Sequence, residues 1–261
     1  MARIALHESR IPRLMRAWLL PICDPLRTIR GLIQYPRYLL DMWEYRKLEG
    51  AENIRAIDSY PQLHDRTGST PFDPHYFYLN AWAMRRVVAA RPNMHVDVAS
   101  HYVFPSLLGA VVPTLFVDYR PLNAHLDGCH PVAADIRNLP FKDGTIQSLS
   151  CLHVAEHIGL GRYGDALDPG GTRKAARQLA QILAPGGNLF FAVPVGKPRL
   201  CFNAHRIHSS EMIVEMFQGL TLLEFSGVDD RSVFRCNVRL DAFRDNEYAC
   251  GMFWFRKPLT D

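Results

Sequence analysis

Three loop segments interrupt otherwise apolar runs with side chains suited to chemistry. His153, Glu156 and His157 spell H-x-x-E-H directly after the apolar stretch 146–152. On a helix the two histidines would share a face at i and i+4 and could bind zinc, with the glutamate as a hydrolytic base. Gly159 and Gly161 leave little room for that helix, and no downstream acid stands out as a third ligand. A neutral imidazole can instead accept a hydroxyl proton, which makes His153, His157 and His205 candidate general bases. The ordinary alternative for each is a histidine satisfied by backbone bonds. The loop GLGRYGDALDPGG, 159–171, carries Arg162, Tyr163 and Asp165 among its glycines. An arginine fork grips phosphate or carboxylate, and a carboxylate accepts from sugar hydroxyls. Asn203, His205 and Arg206 follow the next apolar run with a mixture of donors and acceptors richer than a turn needs. These two loops make up the expected substrate side.

Carboxylates close two earlier apolar runs. Asp118 lies 21 residues after Asp97, a spacing that suits an acid accepting from both vicinal ribose hydroxyls of a nucleoside cofactor. The alternative is a solvated turn acid before Arg120-Pro121. Asp97 precedes Val98-Ala99-Ser100, with no glycine before Gly109. The first turn of such a sheet normally uses glycine so that backbone N–H groups can approach a ligand. Ala99 is expected to serve only at negative φ, although small Ala99 and Ser100 still permit close approach. An Asp that merely caps the next helix is the plainer reading of Asp97.

Positioning these groups requires strands that end together. Short apolar runs at 95–100, 114–118, 132–136, 146–152, 188–193, 221–227 and 248–255 read as strands. A helix is expected over 77–90. A crossover helix is expected over 171–184, with Ala175, Leu179, Ile182 and Leu183 on one face, and another is capped by Ser209 or Ser210 and runs to 217. This alternation predicts an α/β fold with a doubly wound, mostly parallel sheet, whose ligands sit beyond the carboxyl ends of the strands. Ahead of it, Ile11, Leu14, Met15, Trp18, Leu19 and Ile22 form an apolar helical stripe flanked by Arg10, Arg13 and Arg16. Asp24-Pro25 opens a second helix that Pro36 is expected to close, and 38–47 a third. The stretch 58–76 reads as a linker, which divides the chain into a helical extension, 1–76, and an α/β domain, 77–261.

Composition narrows the classes further. The chain has 261 residues, 48% of them hydrophobic, and a net charge of +4. Nine Arg and Lys against five Asp and Glu fall in the first fifty residues, so the rest is formally neutral. That balance argues against a nucleic-acid partner. Six cysteines without a CxxC pair suit a reducing compartment, and no apolar run is long enough for a bilayer, so a soluble, cytoplasmic protein is expected. The basic amphipathic N-terminal helices can contact a membrane surface, but packing on the neighbouring domain is the favoured reading.

VDVAS at 96–100, FVDYRP at 116–121, AADIRNLPFKDGTIQSLSCLHVAEHIG at 133–159 and LAPGGNLFFAVPVG at 183–196 resemble, in order, the motifs of class I S-adenosylmethionine-dependent methyltransferases. GLGRYGD at 159–165, PVG at 194–196 and FNAHRI at 202–207 resemble a narrower uncharacterised branch, whose members often accompany sugar and surface-polysaccharide genes. The resemblance implies a Rossmann-like domain that binds S-adenosylmethionine. Asp97 and Ser100 would lie at its methionine moiety, Asp118 at its ribose, and Asp135 with Ile136 at its adenine. It implies methyl transfer to a hydroxyl or amine of a small, sugar-containing substrate held by Arg162, Tyr163, Asp165, Asn203 and Arg206. His153, His157 or His205 would be the base, and no metal is required. A non-catalytic module that kept the sheet and lost the glycine loop is the alternative, and a zinc hydrolase a more distant one.

Overall fold

A computed structural model describes residues 24–259, so the helix expected over 11–22 lies outside the described residues. The chain divides into two compact units, Met1–Asp73 and Pro74–Asp261. In the first, helix α1 spans Pro25–Tyr45. Asp24 caps it by accepting from the Arg27 N–H at 3.0 Å, and Pro25 occupies the first turn, where no N–H is needed. Pro36 does not close this helix but sits inside it, and the separate helix expected over 38–47 is its continuation. A proline removes one backbone donor. The carbonyl deprived of it belongs to exposed Leu32, where water can serve instead.

The second unit is built on an eight-stranded sheet. Its strands are β1 (His95–Val98), β2 (Thr114–Asp118), β3 (Cys129–Ala133), β4 (Ile146–Leu152), β5 (Leu183–Val195), β8 (Thr221–Val228), β9 (Phe234–Arg235) and β10 (Ala249–Arg256). They lie in the order β3-β2-β1-β4-β5-β10-β8-β9, and β6 (Arg199–Cys201) pairs with β7 (His205–Ile207) as a separate hairpin. From β3 to β5 the neighbours run parallel, whereas β10 is antiparallel to both β5 and β8. The parallel β4 and β5 are joined by helix α4 (Gly171–Ile182), the expected crossover. Helices α2 (Pro74–Ala90), α3 (Val103–Gly109) and α5 (Ser210–Met216) complete the unit. Ser209 caps α5 by accepting from Met212 N–H.

Strand β3 begins and ends three residues before its expected place. It is an edge strand containing Pro131, which a sheet tolerates where no ladder bond is needed, and after buried Cys129 and exposed His130 its alternation lapses into half-buried Pro131 and Val132.

Alternation along β5 sorts the two cores. Leu189, Phe191, Val193 and Val195 face one side with Ala175, Leu179 and Ile182 of α4. Phe190 and Ala192 face the other, with Leu79, Trp82, Ala83 and Val87 of α2. Successive strand residues point to opposite faces, so one run serves both layers. Each fully buried side chain of this size contributes about 1.5–3 kcal/mol. The α2 layer is also pinned by polar contacts, since Glu224 accepts from Trp82 Nε1 at 3.0 Å and from Arg86 Nε at 2.8 Å.

The second face is not wholly apolar. His95, Asp97, Ser148 and Ser150 form a buried polar file between β1 and β4, where Asp97 is in register with Ser150. His95 Nδ1 lies 2.7 Å from Ser148 Oγ and Nε2 lies 2.8 Å from Ser150 Oγ. Ser150 in turn bonds Asp97 Oδ2. Burial holds the His95 pKa down to about 3.

Candidate functional site

The parallel strands deliver their carboxyl ends to one open cleft. Its wall begins at the turn after β1. Ala99 there has φ +57, a left-handed conformation, which overturns the expectation of negative φ. A side chain in this region is strained by about 1–2 kcal/mol. The strain persists because neighbours fix the turn. Asp97 Oδ1 accepts the Ser100 N–H at 3.1 Å, Oδ2 accepts the Ser100 hydroxyl at 2.6 Å, and Ala99 N–H reaches Val117 O at 2.7 Å. Alanine therefore follows a backbone path normally left to glycine.

Asp97 itself is 0 % exposed and Ser100 3 %, and neither side chain lines the cleft. The pair expected to touch a cofactor instead braces, from behind, the backbone that could. Burial raises the Asp97 pKa to about 6, against the lowering effect of the Ser100 and Ser150 hydrogen bonds, and the charge of Asp118 adds to the rise.

Asp118, at the end of β2, does line the cleft, and its Oδ1 accepts the Arg120 N–H at 2.7 Å. Asp135 and Ile136 line it after β3. The Asp135 carboxylate is gripped by Arg137, with Nη2 to Oδ2 at 2.7 Å and Nε to Oδ1 at 3.0 Å. That guanidinium holds the Asp135 pKa below the usual carboxylate range. Any ligand amine bound there must share these oxygens with Arg137.

After β4 the chain turns sharply. His153 takes φ +59 and is followed by a single 3-10 turn, Ala155–His157, not the α-helix that zinc binding through His153 and His157 would need. The two imidazoles are directed differently. His153 places Nδ1 2.9 Å from Glu156 Oε1 and Nε2 3.2 Å from Cys250 Sγ. His157 Nδ1 lies 2.6 Å from the Ala204 carbonyl, which can only accept, so this nitrogen carries the hydrogen. Its Nε2 is then the acceptor.

Burial lowers the His157 pKa, and Arg162 adds to that effect against the opposing pull of Glu156. For His153 burial also acts downward, but Cys250 and Glu156 outweigh it and hold the pKa well above the ordinary value. A neutral His157 is thus the better placed base, while His153 favours the charged form.

The remaining expected residues divide by what their side chains do. Tyr163 and Asp165 line the cleft, and Asp165 Oδ2 also accepts the Gly159 N–H at 2.6 Å. Gly159 is required in that loop, because at φ +79 a Cβ would stand 2.1 Å from Asp168 O. Arg162 Nη1 donates to Ala204 O at 3.0 Å beside His157, and Asn203 Nδ2 to Leu160 O at 3.3 Å. Arg206 donates to Ile158 O at 2.6 Å and Asp168 O at 3.1 Å. These three hold the loop together and do not line the cleft. His205 is also outside the lining, with its ring 4.8 Å from that of Tyr248 and 6.4 Å from that of His157.

Sequence reasoning missed Tyr119, Arg120 and Arg137 on the cleft wall. Arg120 stands over the Tyr163 ring at 4.5 Å, joining the ribose-side turn to the glycine loop. Its place directly after a strand-end acid was the available signal.

The family described as "Caenorhabditis protein of unknown function, DUF268" matches residues 142–249, less than half of the chain. No curated protein sequence matches it. Among solved structures, the chain resembles the N-methyltransferase NodS from Bradyrhizobium japonicum WM9 in complex with S-adenosyl-l-homocysteine. That likeness has a TM-score of 0.51 and 15% identity, covering 70% of this chain and 87% of that one. It also resembles the cyclase SpnF, with a TM-score of 0.52, 14% identity, and coverage of 75% and 86%. The fold is therefore that of class I methyltransferase structures, and the SpnF likeness shows the same sheet in a protein named as a cyclase.

Proposed function

We propose that this chain is an S-adenosylmethionine-dependent methyltransferase acting on a hydroxyl or amine of a small, sugar-containing molecule such as a surface-polysaccharide precursor. One observation carries the reading. The left-handed Ala99 turn and the Asp118 carboxylate end adjacent parallel strands and border one cleft. The residues fit the cofactor. Backbone at Ala99 offers close approach, Asp118 Oδ2 can accept from ribose hydroxyls, and the Ile136 side chain offers an apolar surface for adenine beside Asp135.

When bound, the group supplies an electrophilic methyl carbon on a sulfonium. The chain's own contribution is mostly alignment, because methyl transfer demands a nucleophile held in line within about 3–3.5 Å. His157 Nε2, neutral and aimed by its Nδ1–H bond to Ala204 O, takes the proton of an acceptor hydroxyl. Arg120, Tyr163 and Asp165 at the same wall suit a hydroxylated or anionic acceptor. The DUF268 match and the fold are compatible with this activity, while the sugar-containing acceptor rests on the sequence resemblance.

Calorimetry with S-adenosylhomocysteine tests the reading. Binding is expected in the wild type, and Asp118→Ala should weaken it about 10- to 100-fold, the loss of one or two hydrogen bonds to a charged group. Absence of heat at millimolar ligand in the folded wild type would instead favour a non-catalytic module.

A further inference from the structure

We propose that His75, His153 and Cys250 form a zinc site at the carboxyl edge of the sheet, with Glu156 as its positioning carboxylate. The three come from the first turn of α2, the end of β4 and the start of β10, yet their ligand atoms all lie within 4.8 Å of one another. The site lies beyond the set of residues assigned above to cofactor and acceptor.

The geometry is close to what a tetrahedral ion needs. Zinc binds imidazole nitrogen at about 2.0–2.1 Å and thiolate sulfur at about 2.3 Å, which sets the two atoms about 3.5 Å apart. His153 Nε2 and Cys250 Sγ stand 3.2 Å apart. The His75 ring lies nearly parallel to that of His153, with centroids 5.7 Å apart and an interplanar angle of 10°. Two nitrogens on one zinc lie about 3.3 Å apart, so the set closes when half-buried His75, whose ring also stacks on Tyr248 at 5.2 Å, turns toward His153 Nε2.

Two further observations favour a metal over a simple thiol–imidazole hydrogen bond. Glu156 Oε1 meets His153 Nδ1 at 2.9 Å, the carboxylate–histidine arrangement that fixes the ring and directs Nε2 at an ion. His153 also holds a left-handed φ of +59, and a strained backbone that aims a side chain is characteristic of ligand sites. Phenylalanine, leucine or alanine at Cys250 would complete the surrounding apolar layer, whereas a thiolate with two imidazoles selects a borderline-soft ion such as zinc.

Binding puts the dication in place of the single proton held between Sγ and His153 Nε2, and that proton leaves to solvent. Three protein ligands leave a fourth position for water. The ion ties the start of α2 to the sheet and fixes His153, which is also part of the cleft wall.

The full-length chain should be stripped with chelator and titrated with zinc and with cobalt, reading stoichiometry by elemental mass spectrometry and the cobalt spectrum. One equivalent is expected, with a near-ultraviolet thiolate-to-cobalt band that Cys250→Ser abolishes. His75→Ala should lower affinity at least tenfold. Glu156→Gln should lower it about 10- to 100-fold while retaining the thiolate band at saturating cobalt. Absence of the band in the folded wild type overturns the proposal. So does uptake that is equal in wild type and Cys250→Ser, which marks a metal bound elsewhere. If Cys250→Ser fails to fold, unchanged affinity in His75→Ala overturns it.

Discussion

Replacing Asp97 with asparagine should make stability fall more steeply in mild acid, because it removes the group that offsets His95. The reasoning starts from the buried His95–Ser150–Asp97 contacts. His95 titrates at about 3 in the folded chain against an ordinary 6.5. Above pH 6.5 it is neutral in both states and contributes no pH dependence. Below that, only the unfolded chain takes up the proton, so stability falls by about 1.4 kcal/mol per pH unit until about pH 3. Asp97 works in the opposite sense. Its folded pKa is about 6 against 3.8, so between those values the folded chain binds the extra proton and stability rises as pH falls. From pH 7 to 4.5, His95 removes about 2.7 kcal/mol and Asp97 returns about 2 kcal/mol, a net loss below about 1 kcal/mol.

Asp97→Asn deletes the compensating group, so the same pH change should cost this variant about 2 kcal/mol more than the wild type. Urea unfolding at pH 7.0 and 4.5 measures the difference between the two chains, in which all other titrating groups cancel. Equal pH dependence in wild type and Asp97→Asn would refute the argument, because it would mean that Asp97 carries the same proton in folded and unfolded states.

Two further substitutions separate the brace from the binding surface. Ala99→Gly removes about 1–2 kcal/mol of left-handed strain and adds about 0.5–1 kcal/mol of unfolded-state freedom. Urea denaturation should therefore show a gain of about 0.5–1 kcal/mol, and a loss beyond about 1 kcal/mol would contradict the observed turn. Arg206→Ala should destabilise by about 2–4 kcal/mol through lost bonds to Ile158 O and Asp168 O. Its affinity for S-adenosylhomocysteine should stay within about threefold. A collapse of affinity with unchanged stability would place Arg206 on the ligand.

What could be read in the chain depended on how local its cause was. β2 and β4 matched their expected runs at both ends, because each is a mostly buried run cut off by turn residues, Pro113 and Tyr119-Arg120-Pro121 around β2 and Asp143-Gly144 and His153 around β4. The α4 crossover and the Asp24 and Ser209 caps were similarly visible, each being fixed within one turn of helix. The β6–β7 hairpin and two-residue β9 escaped because short, half-exposed strands carry no periodicity.

At the site, Asp118 was legible as an acid that closes a strand. The burial of Asp97 was not, since it follows from register with Ser150 across two strands. Nor could any spacing reveal that His75 and Cys250, 175 residues apart, meet at His153. The H-x-x-E-H string drew attention to the turn after β4, where His153 and His157 face different partners.

Ser150 has a single hydrogen to give, and it stands between an imidazole and a carboxylate that can each accept it. With Asp97 ionised, that hydrogen goes to the carboxylate, so His95 must donate from Nε2 and receive from Ser148 at Nδ1. Once Asp97 carries a proton, it donates to Ser150, Ser150 to Nε2, and Nδ1 to Ser148. The four side chains thus form a relay with two opposed polarities, exchanged by hydrogens alone while every heavy atom keeps its place. Charge beneath the Ala99 turn is thereby recorded as a choice of imidazole tautomer at the far end of β1.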